Sequence, residues 1–290
     1  MLDTLLTKAR NRPAVVIGAG TMGTRIALML ATQGGEVRLF DRSVEATQRG
    51  LAYIQHTLPQ VIPTVKGGKA GPVHITTALD DALKDAWLVI EALPEKLDLK
   101  IDIFGQLEQY APKDALLTTT SSSFPSRHII GHVKDTHRVF NTHFMMPPDK
   151  RAVEIMSCGA TEPSLMEGLA AYFTQLGLSP YLLKKESMGF IQNRIWAAIK
   201  REALCVAAEG ITEPETIDRI YRETIGTAQG PFQLMDQVGL DIVLQIEEHY
   251  AAVFPHLPEA PRQLLREMIA ENRLGIKTGR GFYSYGKETS

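Results

Sequence analysis

Along the first 185 residues, short apolar runs alternate with amphipathic stretches. The runs are "AVVIG" (14–18), "EVRLF" (36–40), "WLVIEAL" (87–93), "ALLTTT" (115–120), "RVFNTHF" (138–144), "AVEIMSC" (152–158) and "SPYLLK" (179–184). Each has the length of a strand, and most are rich in β-branched or aromatic residues. Between them lie helical patterns such as residues 21–33, where Met22, Ile26, Met29 and Leu30 share one face. Nearly continuous apolar strands alternating with helices predict a largely parallel sheet covered on both sides. After "KKESMG" the strand signal ends, and residues 189–209, 214–225, 231–253 and 260–273 follow helical periodicity. Thr212 followed by Glu215 fits a capping box, with Pro214 in the first turn. The pattern predicts an α/β domain over residues 1–185 and an all-helical domain over 186–290.

Composition narrows the class. A length of 290 residues suits two domains at ~100–200 residues each. A 44% hydrophobic and 22% charged chain is an ordinary soluble globular one. The formal charge of -2 gives no basic excess for nucleic acid. Cys158 and Cys205 form no CxxC pair and read as reduced thiols of a cytosolic protein. No apolar run is long enough to cross a bilayer. The leader "MLDTLLTKARNRP" is too short and polar for a secretory signal, and its Asp3 argues against an organelle signal. The expected setting is cytoplasmic, with no membrane or nucleic-acid partner and no metal.

"VVIGAGTMG" places Gly18, Gly20 and Gly23 in G-x-G-x-x-G spacing, after a strand and opening a helix. The first glycine permits the tight turn, the second lets backbone approach a pyrophosphate, and the third allows helix and strand to pack closely. Free N–H groups at Gly20, Thr21 and Met22 then face the anion. Alone this signal is weak. The next strand, however, ends in Asp41, eighteen positions after Gly23, where a carboxylate bonds both ribose hydroxyls in a Rossmann-type domain. It would repel the 2′-phosphate of NADP, so NAD is the expected cofactor, with neighbouring Arg42 as the feature that could serve a phosphate.

"HRVFNTHFMMPPDKRAVEIM" raises a separate question. His143 stands among apolar residues, and Glu154, eleven positions later, interrupts another apolar run. Buried polar side chains usually just find a hydrogen bond. Paired on neighbouring strands beside a cofactor site, the two would instead make a base with a carboxylate behind it.

The stretches "GAGTMG", "EALPEKLDLK", "THFMMPP", "VEIM", "GFIQNR", "GPFQLMDQVGLD" and "GIKTGRGFYSY" occur in the order of the 3-hydroxyacyl-CoA dehydrogenase family, which the chain resembles over nearly its whole length. The resemblance implies an N-terminal Rossmann domain, a helical C-terminal domain that pairs two subunits into a homodimer, and a substrate cleft between the domains. It puts His143 on the family's catalytic histidine, Glu154 on the glutamate paired with it, and Asn193 on its substrate-binding asparagine. Glu95, Lys100 and Lys277 match positions that contact the cofactor. Hydride transfer from a secondary alcohol releases a proton, and an imidazole oriented by a carboxylate suits that task.

The pattern also breaks. The family's catalytic-site serine aligns with Thr119, which keeps a hydroxyl for the substrate oxygen or His143, and the neighbouring asparagine becomes Thr120. Met146 replaces the asparagine after the histidine, in a loop one residue short, while Ser122 keeps its match. The basic finger that grips coenzyme A in relatives is shortened to "LAYIQHTLPQVIPTVKGGKAGP", without a counterpart of its serine or lysine. Lys66 and Lys69 are more simply solvated charges. The expected activity is NAD-dependent interconversion of a 3-hydroxyacyl and a 3-oxoacyl compound, as a CoA thioester or a related small molecule. One alternative is a dehydrogenase of a free 3-hydroxy acid of carnitine or sugar-acid type. Another is a dinucleotide-binding structural protein of crystallin type.

Overall fold

All seven predicted strands form, trimmed at their ends, and an eighth joins them. They are β1 (Ala14–Ile17), β2 (Val37–Phe40), β3 (Val73–Thr76), β4 (Leu88–Glu91), β5 (Leu116–Thr119), β6 (Val139–Phe144), β7 (Ala152–Ser157) and β8 (Ser179–Leu182). β3 is the unforeseen one. Four residues, "VHIT", half exposed beside a Gly/Pro-rich turn, carry too little apolar signal to be read alone. The computed structural model describes residues 7–9 and 11–286, so most of the leader weighed above lies outside the described residues. The chain divides between Phe190 and Ile191 into two compact units.

In the first unit the strands form one sheet in the order β3-β2-β1-β4-β5-β6-β7-β8. All neighbours are parallel except β6 and β7. Helices α1 (Thr21–Leu30), α2 (Val44–Val61), α3 (Leu79–Leu83), α4 (Leu97–Tyr110) and α5 (Pro163–Gln175) connect them. Alternate residues of each strand point to opposite faces, which yields two cores. Ala14 and Val16 pack with Ile26, Met29 and Leu30 of α1, while Val15 and Ile17 pack with Phe104 and Leu107 of α4. The outward chain order switches direction between β1 and β4, the place where open α/β sheets bind ligands.

The second unit holds α6 (Gln192–Ala208), α7 (Pro214–Ile225), α8 (Pro231–Val238), α9 (Leu240–Val253) and α10 (Ala260–Ala270). Two expectations need correction. The Thr212–Glu215 capping box does not form: Glu213 is the N-cap of α7 and makes no side-chain cap bond. The predicted helix over 231–253 is two helices, because Gly239 at φ +102 breaks the run. Two buried aspartates organise this unit. Asp218 accepts the N–H groups of Phe232 and Gln233 at the start of α8 and the Tyr283 hydroxyl, all at 2.9 Å. Asp236 accepts the N–H groups of Phe282 and Tyr283 and the Tyr285 hydroxyl at 3.0 Å. A Cβ on Gly281 would come within 2.0 Å of Asp236. The motifs "GPFQLMDQVGLD" and "GFYSY" are therefore joined through a carboxylate, and these residues serve the fold.

Candidate functional site

The glycine loop has the shape a dinucleotide needs. Gly18 stands at φ +107, and a Cβ there would lie 2.6 Å from the Ala92 carbonyl oxygen, so only glycine passes. A Cβ on Gly23 would lie 1.9 Å from the Gly18 carbonyl oxygen, the close approach that lets α1 sit against β1. Gly20 differs: among the described residues nothing lies within 4 Å of a Cβ built there. Gly20 is also the N-cap of α1, with no side-chain cap bond and no acidic residue in the first turn. Thr21 is exposed and Met22 half-buried. The N–H groups of this turn and the helix dipole are left for an anion.

Asp41 follows β2. Its carboxylate accepts the Ala19 N–H at 2.8 Å and the Ser43 N–H at 2.9 Å. It thus ties the glycine loop to the turn before α2. Each carboxylate oxygen offers roughly two lone-pair sites, so acceptor capacity remains for a ribose diol. The donors and the space fit a dinucleotide with an unphosphorylated adenosine ribose.

Beside the switch point lies a buried charged cluster. Glu91, at the end of β4, and Lys100, on α4, are both fully buried. Lys100 Nζ donates to Glu91 Oε1 at 2.9 Å and Oε2 at 3.1 Å, and to the Leu93 carbonyl at 3.3 Å. It also pairs with Glu95 Oε2 at 3.2 Å. The other Glu95 oxygen accepts the Ser121 hydroxyl at 2.5 Å and the Ser123 N–H at 2.9 Å. Burial alone would raise the Glu95 carboxyl, but the bonds from Ser121, Lys100 and the Ser123 N–H outweigh it and hold it below the usual carboxylate range.

The cluster contains two of the expected site residues. The Lys100 ammonium is enclosed by the carboxylates of Glu91 and Glu95 and the Leu93 carbonyl. The Thr119 hydroxyl donates to Glu91 Oε2 at 2.5 Å and accepts the Ser121 N–H at 3.1 Å. Thr119 is itself fully buried, and its hydroxyl proton is directed at Glu91. Glu91 was missed, although a lone acid closing the apolar run "WLVIE" was its visible signal.

His143 and Glu154 are direct cross-strand partners in the antiparallel pair β6–β7. His143 Nδ1 lies 2.8 Å from Glu154 Oε2. Both are buried, at 7% and 3% exposure, which strengthens the interaction relative to a surface pair. The imidazole stacks on Phe190, with ring centroids 4.7 Å apart and planes at 25°. Phe190 adopts φ +55 within the turn that follows Ser187. An aromatic face and a carboxylate together restrain the ring, and neither Phe190 nor its strained backbone could be foreseen from spacing.

The loop beyond His143 is unusual. Met146 has φ +114, a conformation residues other than glycine rarely adopt. Arg25 of α1 holds this loop, with Nη1 donating to the Pro147 carbonyl and to Asp149, each at 2.9 Å. In the second unit, Asn193 is half-buried at the second position of α6. Lys277 is paired with Asp241, both partly exposed. Among the described residues, no group of three His, Cys, Asp or Glu side chains could hold a metal ion, and no helix is long and apolar enough to cross a membrane.

Known proteins share this architecture and its sequence. Residues 13–186 match the 3-hydroxyacyl-CoA dehydrogenase NAD binding domain, and residues 189–285 match the C-terminal domain of the same family. A 3-hydroxybutyryl-CoA dehydrogenase of Clostridioides difficile is 33% identical over 279 residues, covering 94% of this chain and 99% of its own. The crystal structure of (S)-3-hydroxybutyryl-CoA dehydrogenase from Ralstonia eutropha has a TM-score of 0.84 and 32% identity, covering 95% and 99% of the two chains. A 5-formyl-3-hydroxy-2-methylpyridine 4-carboxylate 5-dehydrogenase of Mesorhizobium japonicum is 28% identical over 284 residues, 96% of this chain and 92% of its own. With both halves matched in order, the chain belongs to the 3-hydroxyacyl-CoA dehydrogenase family of NAD-dependent oxidoreductases.

Proposed function

We propose that the protein interconverts a 3-hydroxyacyl and a 3-oxoacyl compound with NAD, using His143 as general acid–base. The observation that carries this reading is the 2.8 Å bond between His143 Nδ1 and Glu154. A carboxylate accepts, so the proton of the neutral ring sits on Nδ1 and the lone pair on Nε2. Nε2 takes the hydroxyl proton during oxidation and returns it during reduction. Glu154 stabilises the imidazolium formed in between, and Phe190 fixes the plane of the ring. Bound NAD supplies the hydride acceptor. Gly18, Gly20, Thr21, Met22 and Gly23 form its diphosphate cradle, and Asp41 takes the ribose. Glu95, with a partly exposed carboxylate, contacts the cofactor, while Lys100, Glu91 and Thr119 hold it from behind. For Asn193, a bond to the substrate oxygen rests on the match of "GFIQNR". For Lys277, an approach to the cofactor rests on the match of "GIKTGRGFYSY".

The acyl carrier is tested by NADH consumption across acetoacetyl-CoA, an N-acetylcysteamine 3-oxothioester and free 3-oxo acids. Turnover of the CoA thioester is expected. Turnover confined to the free acids would replace this reading with that of a free hydroxy-acid dehydrogenase, which the pyridine carboxylate dehydrogenase among the relatives keeps in view. We also propose a homodimer built on the helical unit. Helices α6 and α7 expose Ile195, Ile220 and Ile225 at 52%, 61% and 62%, apolar side chains that a subunit contact would cover. Sedimentation at micromolar concentration should give twice the 32.1 kDa chain mass, and a monomer alone would refute the dimer.

A further inference from the structure

Asn141 is a buried polar residue that the proposed chemistry does not use. It lies two positions before His143, hence on the same face of β6, in register with Thr119 of β5 and Met156 of β7. It is fully buried. Its Oδ1 accepts the Ser126 N–H at 2.7 Å, and its Nδ2 donates to the Phe124 carbonyl at 3.1 Å and the Ser121 carbonyl at 3.4 Å. An N–H on one side and two carbonyls on the other fix which amide atom is which. All three partners are main-chain groups of one segment, residues 121–126. The same segment holds Glu95. The Ser121 hydroxyl and the Ser123 N–H both bond Glu95 Oε1, and the Ser121 oxygen also accepts the Phe124 N–H at 2.9 Å. Lys100 takes Oε2. The Glu95 carboxylate is therefore set by Lys100 on one side and by this segment on the other.

We propose that Asn141 is a positioning residue for cofactor binding: its amide clamps residues 121–126 to the strand that carries His143 and so sets where the Glu95 carboxylate stands. The segment lacks a strand ladder of its own, so its buried main-chain groups depend on such side-chain partners. An apolar side chain at position 141 would leave the Ser126 N–H and the Phe124 carbonyl without them, a cost that drives the segment to shift. Glu95 would move with Ser121 and Ser123. The proposal rests on the reading that Glu95 contacts the cofactor, and the experiment below separates the failure of one from the failure of the other.

The test is NADH binding, by fluorescence titration, in the wild type, Asn141→Ala, Glu95→Gln and the double variant. Asn141→Ala should weaken NADH about tenfold, within the range by which members of one hydrogen-bond network couple. In the Glu95→Gln background the same change should cost less than about twofold. A residue serving only the fold would lower Tm and change NADH affinity equally in both backgrounds, or not at all, and either result overturns the proposal. Asn141→Asp is equal in size, keeps the acceptor for Ser126 and loses both donations. It should also weaken NADH through Glu95, and it decides the same cycle if melting shows that the alanine variant does not fold. In turnover the loss should fall on KM for NADH, and a loss confined to kcat would overturn the proposal. If Glu95→Gln binds NADH as the wild type does, the cofactor reading of Glu95 falls and the proposal with it. If Glu95→Gln weakens NADH and the Asn141 variants do not, only the proposal falls.

Discussion

Replacing His143 with Asn should lower kcat by roughly 10²–10⁴-fold, the usual contribution of a general acid–base, while NADH binding measured by fluorescence is unchanged. The asymmetry follows from where the residue sits. His143 is on β6, bonded to Glu154 of β7, and the dinucleotide cradle is built on β1, α1 and the end of β2. Asparagine keeps a polar side chain of similar reach but cannot take a proton at neutral pH. Glu154→Gln should lower kcat in the same direction, because the amide no longer supplies a charge to stabilise the imidazolium. Near-normal turnover by His143→Asn would remove the proposed mechanism. Loss of NADH binding in the same variant would mean that the histidine serves the cofactor site instead.

Lys100→Met should be the most destabilising single change outside the apolar cores. The substitution leaves Glu91 fully buried with its counter-ion gone, and breaking a buried pair from one side costs ~3–5 kcal/mol. For a unit of this size that corresponds to a fall in Tm of roughly 6–20 °C, read by calorimetry. Glu91→Leu combined with Lys100→Met should recover part of the loss, since the double change removes both charges together. Equal Tm values for Lys100→Met and wild type would show that the cluster contributes nothing to stability. Because Glu91 also accepts the Thr119 hydroxyl, the same variant should loosen the end of β5.

The two experiments touch residues that differ in how visible they were beforehand. His143 and Glu154 could be paired because each interrupts an apolar strand and the motifs around them are specific. Lys100 could be found but not understood. Its motif implies a cofactor contact, and only the packing of α4 against the sheet encloses its ammonium beside Glu91. The match of its neighbours to a catalytic stretch implies that the Thr119 hydroxyl serves the substrate oxygen or His143. In the folded chain its hydroxyl is already used by Glu91, a residue whose importance no short-range pattern announces. Phe190 and Arg25 belong to the same class: each acts on a segment distant in sequence, His143 in one case and the Pro147–Asp149 loop in the other.

By itself the sequence determined the order of strands and helices, the glycine turn, the acid that ends β2 and the division into an α/β part and a helical part. These are set by local periodicity and backbone sterics, which a short window of residues expresses in full. Only the tertiary structure decided that "VHIT" adds an edge strand, that Gly239 splits a helix, that Asp218 and Asp236 join the C-terminal motifs, and that Thr119 and Lys100 are enclosed around Glu91. Each of those outcomes depends on which groups are brought together and which lose contact with water. That is settled by long-range packing, where the cost of burying an unpaired polar group selects partners the chain cannot display in one dimension.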